Sequence, residues 1–373
     1  MIYPPYPLQE VCDRPSKGFR LLSDAARIAL RTSATRPTRL FPAFSLAIQL
    51  LGREQFQRSE IRRLQLIEHA LAGRPFPAVS RRAMDRIAES LNPAEERRRV
   101  GHKEVFRREC ERLGLGTPRG LAHYLDDAPG WAFDGSAPGD PAAWRRFFAE
   151  RCPAEFVVKP AVGGHGRGVR MLSRLGPDRF QDATGTTCDA ADLVASLRRE
   201  GRRNGFVIQE RIRNRAELEM LSGSRSLQSS RLYTLLDRDG EPHLLFGYFK
   251  LIAGSNAVDN FHYGKTGNLL CIPRLTDGRL GPALAANPRG DLSAVSHHPT
   301  TGHELAEFRI PDWADVCALA RRAARAFAPL RLVGWDIAST PTGPLLVEGN
   351  WNNDPPNFGG QIEVVLDGIR RWT

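Results

Sequence analysis

The chain has 373 residues, 41% hydrophobic and 25% charged, an ordinary globular composition with length for two or three domains, which excludes a disordered or fibrous protein. Its net charge is +11 and is concentrated early, with 21 Lys+Arg against 12 Asp+Glu in residues 1–110, so an anionic partner or acceptor is expected there, while the sparse aromatics disfavour nucleic acid. Six cysteines without Cys-x-x-Cys spacing disfavour zinc knuckles and disulfide frames. The first residues lack the pattern of a signal peptide, and the longest apolar stretch, Leu40 to Leu51, is too short to span a bilayer. The expectation is a cytoplasmic protein with no membrane span.

Residues 1 to 100 read as helical. Ile61, Leu64, Ile67 and Leu71 recur at helical spacing between Ser59, a candidate N-cap, and Gly73, a candidate stop, which predicts one helix. A second helix is expected over Arg82 to Leu91. The basic clusters Arg62-Arg63, Arg81-Arg82 and Arg97-Arg98-Arg99 are the candidate contacts for an anion. After the break at Asn92-Pro93, a helix starting at Lys103 presents Phe106, Cys110 and Leu113 and stops at Gly114. A loop over 126–141 then leads to a helix over Trp144 to Glu150.

The most informative segment follows. A β-branched run, Phe156-Val157-Val158, delivers Lys159-Pro160 into a loop containing Gly163, Gly164, His165, Gly166 and Gly168. One ammonium and several open backbone N–H groups thereby converge on an anion. A P-loop places its lysine after the glycines, and a dinucleotide fingerprint opens a helix; here the lysine comes first and Val169 to Leu172 reads as another strand. A hairpin loop lying over a nucleoside triphosphate fits this order. Only five lysines occur, Lys17, Lys103, Lys159, Lys250 and Lys265, in a chain that otherwise uses arginine. The compact ammonium suits a phosphate oxygen where a guanidinium fork would not. A helix at about 191–200 and a strand at 206–210 complete a small α+β unit.

Beyond it, Asp239-Gly240 predicts a two-residue turn that sets Arg231 opposite Tyr248, with Lys250 diagonal to Arg231 on one sheet face. Residues 271–311 give no firm register, and their His297, His298, His303 and Glu304 lack a frame for zinc. A helix is expected from Asp312. In the last hairpin a three-residue loop, Pro341-Thr342-Gly343, puts Asp336 opposite Glu348, with Asn350 on the same face. Opposed carboxylates destabilise a sheet unless a cation sits between them, and two carboxylates with an amide oxygen are hard ligands suited to Mg²⁺. His165 at the loop tip reads as a solvated histidine.

Lys159-Pro160 with its glycine loop, Val207-Ile208-Gln209-Glu210, Arg231, Lys250 and the trio Asp336, Glu348 and Asn350 together resemble the ATP-grasp superfamily. Through Val258-Asp259-Asn260-Phe261-His262, Gly334-Trp335-Asp336-Ile337 and Glu348-Gly349-Asn350-Trp351-Asn352, the chain is most similar to its sugar-transfer associated, alpha-L-glutamate ligase-like family. The resemblance covers about residues 100 to 365. It implies an α+β fold in which two subdomains clasp ATP. Lys103 and Lys159 would contact its phosphates, the segment from Gln209 and Glu210 to Ile212 would bind adenine, and Glu217 would hold the ribose. Mg²⁺ would sit at the trio, and Lys159, Arg231 and Lys250 would act on the transferring phosphoryl group.

The boundaries read as a helical basic region over 1–102, a subdomain with the phosphate loop over 103–212 and one with the metal site over 213–373. The leading function is an ATP-dependent ligase that activates a small carboxylate as an acyl phosphate and joins it to an amine or similar nucleophile, with a link to glycan or cell-surface polymer modification suggested by the family name. The alternatives are a phosphotransferase on the same scaffold and a basic binding module with a vestigial ATP site.

Overall fold

A computed structural model describes residues 17–33, 37–74, 76–164, 166–286, 292–358 and 360–373. His165 lies outside the described residues. The chain divides into two units, one comprising the described residues up to Met84 with Pro355–Ile362, the other Asp85–Asp354 with Glu363–Thr373.

The first unit is helical. α1 (Lys17–Thr32) and α2 (Leu40–Gly52) bury small residues, Ala25 and Ala29 from one and Ala43 and Ala47 from the other, in a core shared with α3 (Arg58–Arg63) and α4 (Leu66–Leu71). The single helix expected from Ser59 to Gly73 is therefore two. Gln65 adopts the left-handed conformation with φ 48°, which breaks the run while keeping Ile61, Leu64 and Ile67 in the core. The N-cap is Gln57, whose capping box with Glu60 wins over Ser59 because both partners are satisfied reciprocally.

α5 (Arg81–Leu91) leads into the second unit, where α6 (Arg98–Gly101) and α7 (Lys103–Arg112) precede the first sheet. Two arginines expected to face an anionic partner serve the fold instead. Arg99 donates to the carbonyls of Ala326, Phe327 and Ala328 and pairs with Glu96, and Arg97 donates to the carbonyls of Asn92 and Glu89.

The first sheet contains β1 (Gly120–Tyr124), β2 (Trp131–Ala132), β3 (Glu155–Pro160), β4 (Arg170–Gly176), β5 (Arg179–Asp182), β6 (Thr187–Asp189) and β7 (Phe206–Glu210), in the antiparallel order β2-β1-β7-β3-β4-β5-β6. α8 (Pro141–Arg146), prolonged by a wider turn to Arg151, and α9 (Ala190–Glu200) cover it through Trp144, Phe148, Leu193 and Leu197. Asp189 and Asp192 cap the start of α9, and Gly201 ends it in the left-handed conformation.

After α10 (Ala216–Ser222), the second sheet holds β8 (Ser230–Leu236), β9 (Pro242–Leu251), β10 (Leu269–Cys271), β11 (Ala283–Ala286), β12 (Leu292–Val295), β13 (Leu332–Thr340) and β14 (Gly343–Asn350), in the antiparallel order β12-β11-β10-β9-β8-β13-β14. α11 (Trp313–Ala326) packs on it, and α12 (Gln361–Trp372) ends the chain. Every residue of β13 is buried. This interior strand, between β8 and the edge strand β14, carries Asp336.

Both expected pairings are present, Arg231 opposite Tyr248 and Asp336 opposite Glu348, but each is reached differently. The β8–β9 turn is closed by Asp237 N–H to Glu241 O, giving a three-residue connection, and a bulge between Tyr233 and Thr234 restores the register. In β13–β14 Thr340 pairs with Gly343 across two residues, and a bulge between Asp336 and Ile337 supplies the missing step.

Candidate functional site

The site is assembled in the second unit from β3 with its glycine loop, the start of α7, and β8, β9, β13 and β14. His102 caps α7, its ring nitrogen accepting from Val105 N–H, and Lys103 is thereby fixed in the first turn. Lys103 N–H donates to Ala161 O and its ammonium to Gly163 O at 2.7 Å, so α7 is tied to both ends of the lysine-to-glycine transition. In the loop Gly163, Gly166 and Gly168 have φ of 130°, 68° and 74°. At Gly166 a Cβ would lie 3.0 Å from Val258 Cγ2, so glycine is required both for its backbone and for the close approach of the segment after β9.

Lys159 points inward from β3 and is only 7% exposed. No hydrogen-bond acceptor reaches its ammonium among the described residues. Burial, and then the neighbouring Lys103, push it down to about 8, against the opposing pull of Glu348 and Asp336.

Beside it lies a buried charge network. Arg231 grips Asp336 with two bonds of 2.6 Å, and Lys250 reaches the same carboxylate at 3.1 Å. Burial alone would raise the Asp336 carboxyl, but Arg231 and Lys250 outweigh it and hold it well below the usual range. Burial likewise opposes the charge on Lys250, while Asp259 at 3.4 Å and Asp336 more than restore it. Asp259 also accepts from the Ser229 N–H and hydroxyl at 2.9 and 2.6 Å, and burial holds its carboxyl above the ordinary value. The cation between the opposed carboxylates is thus Arg231, 3.5 Å from Glu348.

Glu348 is held loosely, with Lys103 at 3.8 Å, and Asn350 Nδ2 approaches it at 3.5 Å. Among the described residues no three His, Cys, Asp or Glu side chains gather as metal ligands, and the expected oxygen set is Asp336, Glu348 and the amide of Asn350. Its chemistry fits a hard divalent cation. Glu348 and Asn350 can offer oxygens directly, whereas Asp336 must release Lys250 or Arg231.

The remaining expected positions lie elsewhere. Gln209 is buried on β7, and Glu210 is spent on Arg119, its N–H donating to the Arg119 carbonyl and its carboxylate accepting the Arg119 N–H. Ile212, past the strand, makes no backbone hydrogen bond among the described residues. Glu217 pairs with Arg215, which also meets Asp312, and among the described residues no hydrogen bond or ion pair joins it to the charge network. His298 Nε2 donates to the Ile252 carbonyl at 2.7 Å and the side chain is buried, a structural position. Asp259, in the Val258 to His262 motif, is a site residue beyond those expected from the sequence. The signal was the second acid needed to neutralise Lys250.

The model of the sugar-transfer associated ATP-grasp family matches residues 82–363, three quarters of the chain. The protein belongs to the sugar-transfer associated ATP-grasp family. No curated protein matches it. This ATP-grasp protein is similar to the biotin carboxylase of Campylobacter jejuni (11% identity, TM-score 0.45, 85% of this chain and 57% of that one). It also resembles an L-amino acid ligase of Bacillus licheniformis (14%, 0.39, 80% and 53%) and the D-alanine–D-alanine ligase of Bacillus anthracis (12%, 0.38, 73% and 67%). It spans little more than half the length of the first two. The sheets and helices described above form the α+β ATP-grasp fold of this family, with helices ahead of it. No helix among the described residues is long and apolar enough to cross a membrane.

Proposed function

We propose that the protein is an ATP-dependent ligase that activates a small carboxylate and joins it to an amine or similar nucleophile. The observation that carries this is Lys159, a buried ammonium without an acceptor among the described residues, set between a glycine loop and a carboxylate pair. An isolated buried cation is unfavourable, and a phosphate oxygen would relieve it.

In this reading Lys103, Lys159 and the N–H groups of Gly163, Gly164, Gly166 and Gly168 hold the triphosphate, and the open backbone at Ile212 receives the adenine. Glu348 and Asn350, with Asp336, would hold Mg²⁺, which when bound supplies charge neutralisation to the phosphates. A carboxylate oxygen of the substrate attacks the γ-phosphorus, the bond to the ADP oxygen breaks, and Arg231 and Lys250 stabilise the equatorial oxygens. The amine then attacks the acyl carbon, phosphate leaves, and the nitrogen gives up a proton. Asp336, on releasing one of Arg231 and Lys250, keeps the other oriented. The division into 1–102, 103–212 and 213–373 is retained as the working domain scheme, and a role in glycan or cell-surface polymer modification as the working context.

The test is interception. With ATP, Mg²⁺ and a panel of carboxylates, hydroxylamine should yield a hydroxamate together with ADP. Accumulation of a stable phosphorylated acceptor without hydroxamate would replace the ligase by a phosphotransferase, and failure to bind ATP would leave a vestigial module.

A further inference from the structure

The helical unit carries a surface that the ATP-grasp chemistry does not use. α1 and α2 pack through Ala25, Ala29, Ala43 and Ala47, and Thr32 is followed within eight residues by Leu40, so the two helices run antiparallel. The end of α1 and the start of α2 therefore lie together. Leu30, Leu40 and Phe41 are 61%, 40% and 80% exposed there, and Leu22, two turns back along α1, is 50% exposed. Large apolar side chains concentrated in this way mark a docking surface.

Cations surround them. Arg27 lies one turn before Leu30, and Arg31 and Arg39 flank the helix ends. None of the three has a carboxylate partner among the described residues. A cleft of ≈ 930 Å³ in the same unit is lined by Arg20, Arg27, Arg31, Arg58, Arg62 and Arg82 against only two acids, Asp24 and Glu68. Asp24 is already paired with Arg58 at 3.0 Å. The remaining arginines repel one another until an anion arrives.

The occupant must combine negative charge with an apolar phase. A second copy would set arginine against arginine, and a free phosphate or nucleic-acid backbone would leave Phe41 and the leucines in water. Anionic headgroups above acyl chains satisfy both halves, with guanidinium groups on the phosphates and the aromatic and aliphatic side chains below them.

We propose that the α1–α2 end of the helical unit docks on an anionic lipid bilayer. The full chain is to be sedimented with vesicles of phosphatidylcholine containing about 30% phosphatidylglycerol and with vesicles of phosphatidylcholine alone. It should pellet with the anionic vesicles at low salt and be released as salt rises, and neutral vesicles should retain at least about tenfold less. Arg27→Glu with Arg31→Glu should lower partitioning by about tenfold or more, and Leu30→Ser with Phe41→Ser by about fivefold or more. Unchanged circular dichroism would show that these exposed substitutions leave the fold intact.

Equal binding to both vesicle types, or no binding, overturns the proposal. So does full retention of binding by the serine pair, because the apolar side chains would then play no part. Displacement from vesicles by millimolar inorganic pyrophosphate points to a soluble anion and also overturns it. Self-association that is lost in the serine pair, without vesicle binding, assigns the surface to a second copy instead.

Discussion

Replacing Lys159 by methionine should stabilise the nucleotide-free protein while weakening its hold on ATP. The lysine is buried without an acceptor among the described residues, and its fall from 10.5 to about 8 reflects how far burial and Lys103 disfavour the charge in the native state. At about 1.36 kcal/mol per pH unit this amounts to ~3 kcal/mol at neutral pH. Methionine has similar reach and no charge, so recovery of about 1 to 3 kcal/mol is expected once imperfect packing is allowed for. The sign can be checked by pH. Between about 8 and 10.5 the unfolded chain binds the proton that the folded one has lost, so wild-type stability rises with pH there and the advantage of the variant shrinks through that window. A phosphate would restore the proton, so ATP binding should take up protons near pH 8 to 9 and weaken above it. Loss of a charge-assisted contact in Lys159→Met should weaken ATP by about 1.5 to 3 kcal/mol. Urea melts at pH 7 and 10, with calorimetric titration of ATP, measure both arms. A variant that is less stable at pH 7 and binds ATP normally refutes the reasoning.

Four further outcomes are expected. Glu348→Gln should abolish turnover and the Mg²⁺ dependence of nucleotide affinity with little change in melting temperature, since its carboxylate is held by no bond shorter than 3.5 Å; retained activity removes it from the metal site. Asp336→Asn should cost about 3 to 5 kcal/mol, because Arg231 and Lys250 stay buried with their shared anion gone; denaturant melts test this. Because the Asp336 carboxyl is depressed in the folded state, its contribution is complete at neutral pH and is lost only on acidification below the usual carboxylate range. Gly166→Ala, with φ 68° and a Cβ 3.0 Å from Val258, should lower stability by about 1 to 2 kcal/mol and slow turnover, as differential scanning and ADP release would show.

Much of this site was legible because it rests on local chemistry. The order of lysine before glycines and the helix starting at Lys103 follow from spacing alone. The registers of Arg231 and Asp336 were reached through offsetting errors. Each turn differs by one residue from the loop its glycine suggested, and each strand pair contains a bulge that removes the difference. Buried bulges leave no mark in a hydrophobic pattern already continuous on both faces, as in β13. Arg97 and Arg99 were misjudged for a related reason. Their acceptors include backbone carbonyls, within eight residues for Arg97 and more than 200 residues away for Arg99, and backbone oxygens carry no sequence signature.

The buried network has a kinetic corollary. Lys103, Lys159, Arg231 and Lys250 face Asp259, Asp336 and Glu348, leaving the cluster only one positive charge in excess. So nearly balanced a cluster projects little field into solvent, and it cannot draw a highly charged nucleotide from a distance. Capture should owe little to this cluster's long-range field, and contacts with Arg231 and Lys250 should form only after the triphosphate has displaced a carboxylate from them. Free ATP should therefore enter less readily than its magnesium complex, whose lower charge needs less of that exchange.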